Sequence, residues 1–311
     1  MKLSVLITDH NDHEECNLTV QSIRETAGDK PEIIVIDDGS PSILRLKDKG
    51  VNFHRLQHRI GVGPARHYAA CKASGDYILI TDSHMRFTPG WYESALAVLK
   101  SRSNRTLWCC QCVNLLPGDM DISKPHGRYH GATLLFSGPD TGAPGKHLVL
   151  EGKWSPERPD DGYETESIMG ASYLMSRDWF FQLGGLRLLR AWGSDEPYLS
   201  LRTWLSGGEC RFTKQVQIGH QFREKAFHST PTANHIYNKI LVAMLCLPSH
   251  AWAAIVRELP KQYLLEGDIA VAKKLIAEHR PEIEVERAYL EAMQRMSWDE
   301  YCEKFSVAKF W

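Results

Sequence analysis

The first hundred residues alternate short apolar segments with longer amphipathic ones, and this pattern constrains the fold more than any other feature of the chain. Strands that alternate with helices form βαβ units, whose strands pair in parallel. The pattern therefore predicts an α/β domain built on a mostly parallel sheet. The predicted strands are residues 3–8, 32–36 and 77–81, and the predicted helices are residues 14–27, 62–74 and 91–100.

The rest of the chain is predicted to be a loop-rich segment followed by helices. Residues 117–166 are crowded with Gly, Pro and Asp and contain one clear strand pattern, at 132–136, so we expect long loops around a site. We divide the chain into a main domain, residues 1–240, and a helical C-terminal extension, residues 241–311. Further predictions are a strand at 168–175, helices at 178–183 and 197–206, and a polar, turn-rich segment at 225–235.

Charge and cysteine content exclude some classes of protein. The 37 basic and 38 acidic side chains leave a formal charge of -1, so no overall positive field attracts nucleic acid or an anionic membrane. The eight cysteines are spread over a chain long enough to fold without disulfides, which predicts reduced thiols. Cys109, Cys110 and Cys112 raise the alternative of a zinc site, but no CxxC pair is present and residues 107–113 resemble a buried strand.

No segment has the pattern of a targeting signal or a membrane span. The apolar run after Met1 and Lys2 covers residues 3–7, which is too short for the core of a signal peptide. The run at 240–247 ends at Pro248, well below the roughly 20 residues that cross a bilayer. We therefore expect a cytoplasmic protein with no membrane partner.

Polar residues that suit a metal and a nucleotide follow the predicted strands. Asp82 and His84 are two residues apart, so both side chains point to one side and can bind one cation such as Mn²⁺. Such a cation can bridge the phosphates of a nucleotide-sugar. Asp38 can accept hydrogen bonds from uracil or ribose, and Arg59, before a helix, can face a phosphate or a base. The alternatives are an incidental Asp-x-His, an Asx turn and a solvated arginine.

The order and spacing of these motifs resemble the catalytic domain of the polypeptide N-acetylgalactosaminyltransferases, within the GT-A glycosyltransferases. The resemblance covers roughly residues 3–240 and is specific because many motifs occur in register. The matching segments are Leu6-Ile7-Thr8-Asp9-His10-Asn11, Val35-Ile36-Asp37-Asp38, Asp82-Ser83-His84, Pro89-Gly90-Trp91, Met169-Gly170-Ala171, Trp192-Gly193-Ser194-Asp195-Glu196, Leu201-Arg202-Thr203-Trp204 and Gly219-His220-Gln221-Phe222-Arg223.

The resemblance implies a GT-A fold in which a divalent metal, expected to be Mn²⁺, and a UDP-sugar donor bind together. It implies that residues 224–235 form a loop that closes over the donor and excludes water. The implied metal ligands are Asp82, His84 and His220, the implied donor contacts are Thr8, Asp38, Arg59 and Ser83, and the implied catalytic residues are Trp192, Asp195, Glu196 and Arg223.

The chain also departs from the family pattern. Ser194, Asp195 and Glu196 stand where the family has glycine, glutamate and asparagine, and the tail from Ala251 is predicted to be helical where the animal enzymes have a lectin domain. Family members retain the anomeric configuration of the sugar, which favours retention here, with Asp195 and Glu196 orienting the donor sugar or the acceptor. An inverting mechanism with a carboxylate base at this helix start is the alternative.

The sequence leaves the acceptor and two other functions open. A nucleotide-sugar-binding protein without turnover and a nucleotidyltransferase are the competing functions, although residues 8–16 lack the glycine-rich basic loop of the latter. The expected acceptor is a hydroxyl on a glycan or small molecule, on protein Ser/Thr, or on a hydroxymethylated pyrimidine of viral DNA. The residues that motivate the DNA alternative are Lys124, His126, Arg128, Tyr129, His130, Lys146, Lys153, Trp154 and Arg158.

Overall fold

The computed structural model of the chain describes residues 1–116, 119, 121–122, 126–140, 145–169, 171–222, 231–263 and 266–311. The strands are β1 (Leu3–Asp9), β2 (Glu32–Asp37), β3 (Asn52–Arg55), β4 (Tyr77–Asp82), β5 (Met85–Phe87), β6 (Thr106–Leu115), β7 (Gly127–Tyr129), β8 (Ala132–Pro139), β9 (His147–Trp154), β10 (Ser172–Ser176) and β11 (Glu209–Gln221). The helices are α1 (His13–Ala27), α2 (Val62–Lys72), α3 (Trp91–Lys100), α4 (Arg177–Gln182), α5 (Asp195–Leu205), α6 (Thr232–Cys246), α7 (Ser249–Gln262), α8 (Glu266–Glu278), α9 (Arg280–Met293) and α10 (Trp298–Phe305).

The central sheet has the strand order β3-β2-β1-β4-β10-β6-β11-β5, with β7 paired to β6. Strands β3, β2, β1 and β4 pair in parallel, as do β6 and β11. Strand β10 runs antiparallel to both of its neighbours, and β5 and β7 are also antiparallel to theirs. The α/β prediction is confirmed, and the sheet is mixed, because parallel pairing is confined to the first four strands and the β6–β11 pair.

Both faces of the sheet are covered, because its central strands are mostly apolar on both sides. Leu6, Ile34 and Ile80 point into a core shared with α2 and α5. The alternate residues Val5 and Leu79 point into a second core shared with α1 and α3. A strand buried on both faces appears in the sequence as a continuous Val/Ile/Leu run, which is why β1, β2 and β4 were predictable.

The segment 117–166 contains the strand predicted at 132–136, as β8, and also β7 and β9, which corrects the prediction that the rest of it is long loops. Strands β8 and β9 form an antiparallel hairpin, and β7 extends the central sheet. The β9 sequence, His147–Trp154, includes a glycine and two charged residues and is only half-buried, so its pattern is weak. Helix α7 supports the hairpin, since the Gln262 Oε1 atom accepts a hydrogen bond from the Val149 amide at 2.9 Å.

The helical extension is continuous with the main domain. Helix α6 begins at Thr232, so the predicted turn-rich segment 225–235 is helical from that residue onward, and the boundary placed after residue 240 falls inside α6. Side chains of α6 to α10 join the same core as α2 and α5. In the described parts of the chain, no helix has the length and apolar character needed to span a bilayer.

The three clustered cysteines lie in strand β6. Cys109, Cys110 and Cys112 are each no more than 1% exposed, so the buried-strand prediction is confirmed. Burial raises the pKa of the Cys109 thiol to about 12, as expected for an inert structural cysteine.

Candidate active site

The polar residues predicted to bind a nucleotide lie together at the carboxyl ends of β1, β2 and β4. Thr8 is in register with Asp82 across β1 and β4, and Asp9 is in register with Asp37 across β1 and β2. Ligands of α/β sheets bind at this edge because the connecting loops diverge there. The pocket at this edge is lined by Thr8, Asp9, His10, Asp12, Asp38, Arg59, Val62, Asp82, Ser83, His84 and Trp192.

Asp82, His84 and His220 converge beside this pocket. One carboxylate oxygen and one ring nitrogen from each histidine all lie within 4.8 Å of one another. The Nε2 atoms of His84 and His220 are 3.1 Å apart, and His220 Nε2 is 3.6 Å from the Asp82 Oδ2 atom. A carboxylate and two imidazoles suit a divalent cation such as Mn²⁺ or Zn²⁺, so the residues fit the metal predicted from the sequence.

The pairing of short strand β5 with β11 brings His220 to His84. His220 lies opposite Met85 in this antiparallel pair. The backbone amide of Gln221 donates to the carbonyl oxygen of His84 at 3.3 Å, which joins the two histidine segments directly. The third ligand, 136 residues away in sequence from the second, is therefore positioned by backbone pairing.

Asp12 contacts the Nδ1 side of the His84 ring, and it was not among the site residues predicted from the sequence. Its Oδ2 atom lies 3.2 Å from the Nδ1 atom of His84. The hydroxyl of Ser83 also donates to this oxygen, at 3.3 Å. A carboxylate behind a ligating histidine orients its ring toward a metal, although the His84 Nδ1 atom makes no hydrogen bond of normal geometry among the described residues here. A signal was present, because Asp12 is the residue directly before α1, at the end of the turn that follows a buried strand.

Arg66, in α2, is the second residue that the sequence analysis missed. Its guanidinium is buried, and it donates to the carboxylates of both Asp82 and Asp195. It also donates to the Tyr173 hydroxyl at 3.1 Å. Burial alone would raise the pKa of Asp82, but the Arg66 charge, His220 and His84 together hold that pKa well below its usual range. Arg66 therefore keeps Asp82 ionised and links it to the start of α5.

Asp195 and Glu196 form the first turn of α5, which begins two residues before the helix predicted at 197–206. The Asp195 carboxylate is 3% exposed and accepts a hydrogen bond from the Tyr173 hydroxyl at 3.2 Å. Burial, followed by repulsion from Asp195, raises the pKa of Glu196 well above its usual range. Ser194 precedes the helix with a φ of 67°, in the left-handed region that glycine adopts without strain. Ser194 therefore replaces the family's glycine at a position where a side chain adds backbone strain.

Asp38 holds the loop that carries Arg59. Its two carboxylate oxygens accept hydrogen bonds from the amides of Ile60, at 2.7 Å, and Gly61, at 2.9 Å. Burial raises the pKa of Asp38, and these two amides act against the rise. Gly61 has a φ of 96°, and a Cβ atom there would lie 2.3 Å from the Ala191 Cα atom. The loop thus depends on glycine and on Asp38 for the position of Arg59.

Two further predictions concern the loop expected to close over the donor and the side chain of Trp192. Arg223 and residues 224–230 of the predicted closing loop lie outside the described residues. His235, at the end of that predicted loop, is in α6, and its ring centroid is 5.1 Å from that of Trp192. Trp192 is 53% exposed, an unusual exposure for a large aromatic side chain beside a polar pocket.

Asp9 is a buried carboxylate beside the pocket, and one of its two oxygens has no hydrogen-bond partner among the described residues. Its Oδ2 atom is 2.8 Å from His13 Nδ1, whereas Oδ1, like the Oγ1 atom of Thr8, has no hydrogen-bond partner among the described residues. Burial raises the pKa of Asp9 to about 6, against the lowering effect of His13. Buried polar atoms without partners are rare in folded proteins and are costly, so Asp9 is a source of strain beside the pocket.

We expect the Asp9→Asn variant to be more stable than the wild type above pH 6, by up to about 3 kcal/mol. The folded pKa of about 6 exceeds the ordinary 3.8, so the native state retains a proton that the unfolded state has lost. Ionising Asp9 in the folded chain therefore costs stability as pH rises through this window, and the difference vanishes below about pH 4.

Urea unfolding at three pH values across this window measures the effect. Asp29→Asn is the matched control, because the Asp29 side chain is 99% exposed and should change stability little at any pH. Parallel stability profiles for the wild type and the Asp9→Asn variant would show that Asp9 does not titrate as stated.

Comparisons with known proteins show which families and folds the chain resembles. Residues 4–112 match the protein-family model of glycosyl transferase family 2, and this part of the chain is a domain of that family. The chain is homologous to the polypeptide N-acetylgalactosaminyltransferases. It is 30% identical over 254 residues to the putative polypeptide N-acetylgalactosaminyltransferase 13 of Drosophila melanogaster, an alignment that covers 75% of this chain and 44% of the relative. The chain therefore spans less than half the length of that relative.

Solved structures establish the GT-A fold. The structure of GalNAc-T7 with UDP, GalNAc and Mn²⁺ superposes with a TM-score of 0.71 at 21% identity, covering 98% of this chain and 56% of that one. The mannosyltransferase PcManGT of Pyrobaculum calidifontis, in complex with GDP-Man and Mn²⁺, superposes with a TM-score of 0.52 at 15% identity, covering 94% and 85% of the two chains. These two proteins carry different nucleotides, so the fold alone does not fix the base.

Proposed function

We propose that the chain is a metal-dependent glycosyltransferase that moves a sugar from a UDP-sugar to a hydroxyl acceptor with retention of configuration. The observation that carries the proposal is the convergence of Asp82, His84 and His220 within 4.8 Å, beside the pocket lined by Thr8, Asp38 and Arg59. The N-acetylgalactosaminyltransferase relative and the GalNAc-T7 neighbour support this activity. We also propose the cytoplasmic location expected from the sequence, which fractionation of cells expressing the chain would test.

The metal would be held by Asp82, His84 and His220, with Asp12 orienting His84 through its Nδ1 atom. A bound divalent cation supplies positive charge to the diphosphate of the donor and stabilises it as a leaving group. Arg59 lines the same pocket and adds a fixed positive charge for a phosphate or the base. The protein thus concentrates positive charge where the leaving group develops negative charge.

Contacts of Asp195 favour an orienting role over that of a general base. A base must be free to take a proton, whereas this carboxylate already accepts hydrogen bonds from Arg66 and Tyr173. Retention needs no such base, because the leaving phosphate can accept the proton of the acceptor. The anomeric configuration of the product, read by NMR, tests this point: an inverted product would return a carboxylate of α5 to the role of base.

We expect UDP and UDP-sugars to bind more tightly than GDP- or CMP-sugars, and more tightly with Mn²⁺ than without it. Arg59→Ala should weaken UDP binding about 10-fold or more, because a charged hydrogen bond at the pocket is lost. Titration calorimetry measures both effects, and Arg102→Ala, which removes an exposed arginine outside the pocket, is the matched control. Clear binding of another nucleotide in place of UDP would remove the uridine assignment.

We propose that the acceptor binds on the aromatic side of the site. The rings of Tyr129 and Trp154 stack at 4.4 Å between centroids, Phe222 lies 5.2 Å from Tyr129, and His220 lies 4.3 Å from Phe222. This aromatic surface runs directly into the proposed metal ligands. A hydroxyl acceptor held against it would therefore lie close to the donor.

Several residues that motivated the DNA acceptor have partners within the protein. His130 is buried, the Lys153 ammonium is 3.1 Å from the Asp140 carboxylate, and Arg158 lies over the Tyr163 ring at 4.7 Å. These contacts reduce the positive charge available to a phosphate backbone, so we rank a glycan, small-molecule or protein hydroxyl above DNA. Lys124 lies outside the described residues.

Radiolabel transfer distinguishes the acceptors. The enzyme, Mn²⁺ and labelled UDP-sugars are incubated with Ser/Thr peptides, a panel of glycans, hydroxymethylpyrimidine DNA and unmodified DNA. Label on glycans or peptides is the expected result. Label confined to the hydroxymethylated DNA would reverse the ranking, because unmodified DNA controls for adventitious retention.

A further inference from the structure

Asn238, in α6, hydrogen-bonds to the backbone of the segment that carries Trp192. Its side chain is fully buried, and its Oδ1 atom accepts a hydrogen bond from the Arg190 amide at 2.9 Å. Its Nδ2 atom donates to the carbonyl oxygens of Arg190, at 2.8 Å, and Gly193, at 2.9 Å. The Trp192 carbonyl oxygen, at 3.3 Å, shares one of the two amide hydrogens. One side chain therefore joins the Trp192 segment, residues 190–193, to α6.

The Trp192 segment needs this support because its backbone is strained. Ala191 has a φ of 50° and Ser194, directly after the segment, a φ of 67°, both in the left-handed region that residues other than glycine rarely adopt. Gly193 also has a positive φ, of 96°. Strained conformations persist only where the surrounding structure fixes them. The hydrogen bonds of Asn238 supply that constraint just before α5 begins.

The Trp192 segment also contacts the loop that carries Arg59. The backbone amide of Val62 donates to the Ala191 carbonyl oxygen at 2.6 Å, and Gly61 forms a parallel β-bridge with Ala191. Arg59, Val62 and Trp192 all line the pocket of the candidate active site. The hydrogen bonds from α6 thus reach, through one stretch of backbone, residues on both sides of the segment that line this pocket.

Asn238 itself does not contact the pocket. It is absent from the residues that line the pocket, and both polar atoms of its side chain are bonded to the Trp192 segment. His235, one turn earlier in α6, adds a second contact, since its ring centroid lies 5.1 Å from that of Trp192. Helix α6 therefore supports both the backbone and the side chain of Trp192 from outside the pocket.

We propose that Asn238 is a positioning residue for the donor nucleotide. Through the Trp192 segment, it holds Trp192 and the Arg59 loop in the places where they line the pocket. Without the asparagine side chain, one amide and the bonded carbonyl oxygens would lack partners in a buried region, and the strained segment would move to satisfy them. The proposal rests on the proposed function in one respect, that this pocket binds the nucleotide of a UDP-sugar.

Titration calorimetry with UDP and Mn²⁺ tests the proposal. Asn238→Ala should weaken UDP binding about 10-fold, because the walls of the pocket lose their fixed position. Asn238→Ser, whose hydroxyl can still donate to one carbonyl oxygen, should have a smaller effect. Thermal melts verify that each variant is folded, and Asn238→Ser decides the question if Asn238→Ala is not.

Arg287→Met is the matched control, because it removes hydrogen bonds at the other end of the same helix. The Arg287 guanidinium donates to the carbonyl oxygens of Met244, at 2.8 Å, and Leu247, at 3.4 Å. This variant should melt at a lower temperature than the wild type and bind UDP with unchanged affinity. A general loss of stability would instead weaken UDP binding in both variants.

NMR of the Trp192 indole N–H measures positioning without any nucleotide. The signal is identified among those of the nine tryptophans by its loss in Trp192→Phe, and it should shift in Asn238→Ala but not in Arg287→Met. The inference is overturned if folded Asn238→Ala keeps wild-type UDP affinity, if its Trp192 signal does not move, or if Arg287→Met weakens UDP binding as much. A wild-type chain that binds no UDP would contradict the proposed function, and the Trp192 signal would then decide the positioning role by itself.

Discussion

Replacing His220 with alanine should abolish tight Mn²⁺ binding and lower turnover by roughly 10³-fold. Among the residues that the structure describes, three side chains offer ligand atoms within 4.8 Å of one another, so loss of one leaves too few to hold the cation. Asp82→Asn should have a similar effect, because it also removes the negative charge opposite the metal. Electron paramagnetic resonance of free and bound Mn²⁺, together with initial rates of sugar transfer, measures the two consequences separately.

His250→Ala is the matched control for this prediction. His250 is exposed on the first turn of α7, away from the pocket, and its loss should change neither Mn²⁺ affinity nor turnover. A His220→Ala variant that keeps wild-type Mn²⁺ affinity would remove His220 from the ligand set. Unchanged turnover after chelation of all divalent cations would contradict the metal-dependent mechanism itself.

Arg66→Met should lower the free energy of unfolding by about 3 to 5 kcal/mol and abolish activity. The substitution leaves the carboxylates of Asp82 and Asp195 near each other without the guanidinium that now lies between them. Both acids then lose their counter-charge in a site where Asp195 is only 3% exposed. Urea unfolding measures the loss of stability, and Arg102→Met provides an exposed-arginine control.

A second substitution separates charge from packing at Arg66. Asp195→Asn in the Arg66→Met background removes one unpaired buried charge and should restore part of the lost stability, without restoring activity. Arg66→Lys keeps the positive charge, but a lysine ammonium cannot donate to both carboxylates as the two nitrogens of the guanidinium do. We therefore expect a stability between those of the wild type and Arg66→Met. If Arg66→Met unfolds at the same urea concentration as the wild type, the guanidinium is not the counter-charge that holds the site together.

The first strands were predictable because their signal is local. Strands β1, β2 and β4 are buried on both faces, and each appears in the sequence as an apolar run followed by polar residues. The parallel βαβ order then placed Thr8, Asp38 and Asp82 at one edge, as the structure shows. No contact between distant residues was needed for these predictions.

Strands β11 and β9 were not predictable in the same way. The β11 residues, Glu209–Gln221, mix polar and apolar side chains, and the strand is stabilised by pairing with β6 and β5 far away in sequence. His220 was assigned to the metal through family resemblance, because nothing local distinguishes a ligating histidine from a core histidine. The antiparallel insertion of β10 between β4 and β6 likewise depends on long-range pairing.

Asp12 and Arg66 escaped the sequence analysis for the same physical reason. Each acts through a partner on another element: Asp12 on His84, and Arg66 on Asp82 and Asp195. A motif identifies residues that contact a ligand, whereas the residues that orient them are defined only after folding. Arg66 had one indirect signal, since it is a charged residue among the small residues Ala65, Ala69 and Ala70 on the buried face of α2.

Metal-dependent donor turnover is the most direct test of the proposed function. Purified wild-type chain is incubated with a panel of UDP-sugars, and the released nucleotide is separated and identified by chromatography, with Mn²⁺ or with a chelator. We expect release of UDP with Mn²⁺, no release with the chelator, and no release by His220→Ala. If UDP-sugars bind but no UDP is released, even in the presence of the acceptors named above, the proposed function is contradicted and the chain is a binding protein. Release of pyrophosphate would indicate a nucleotidyltransferase.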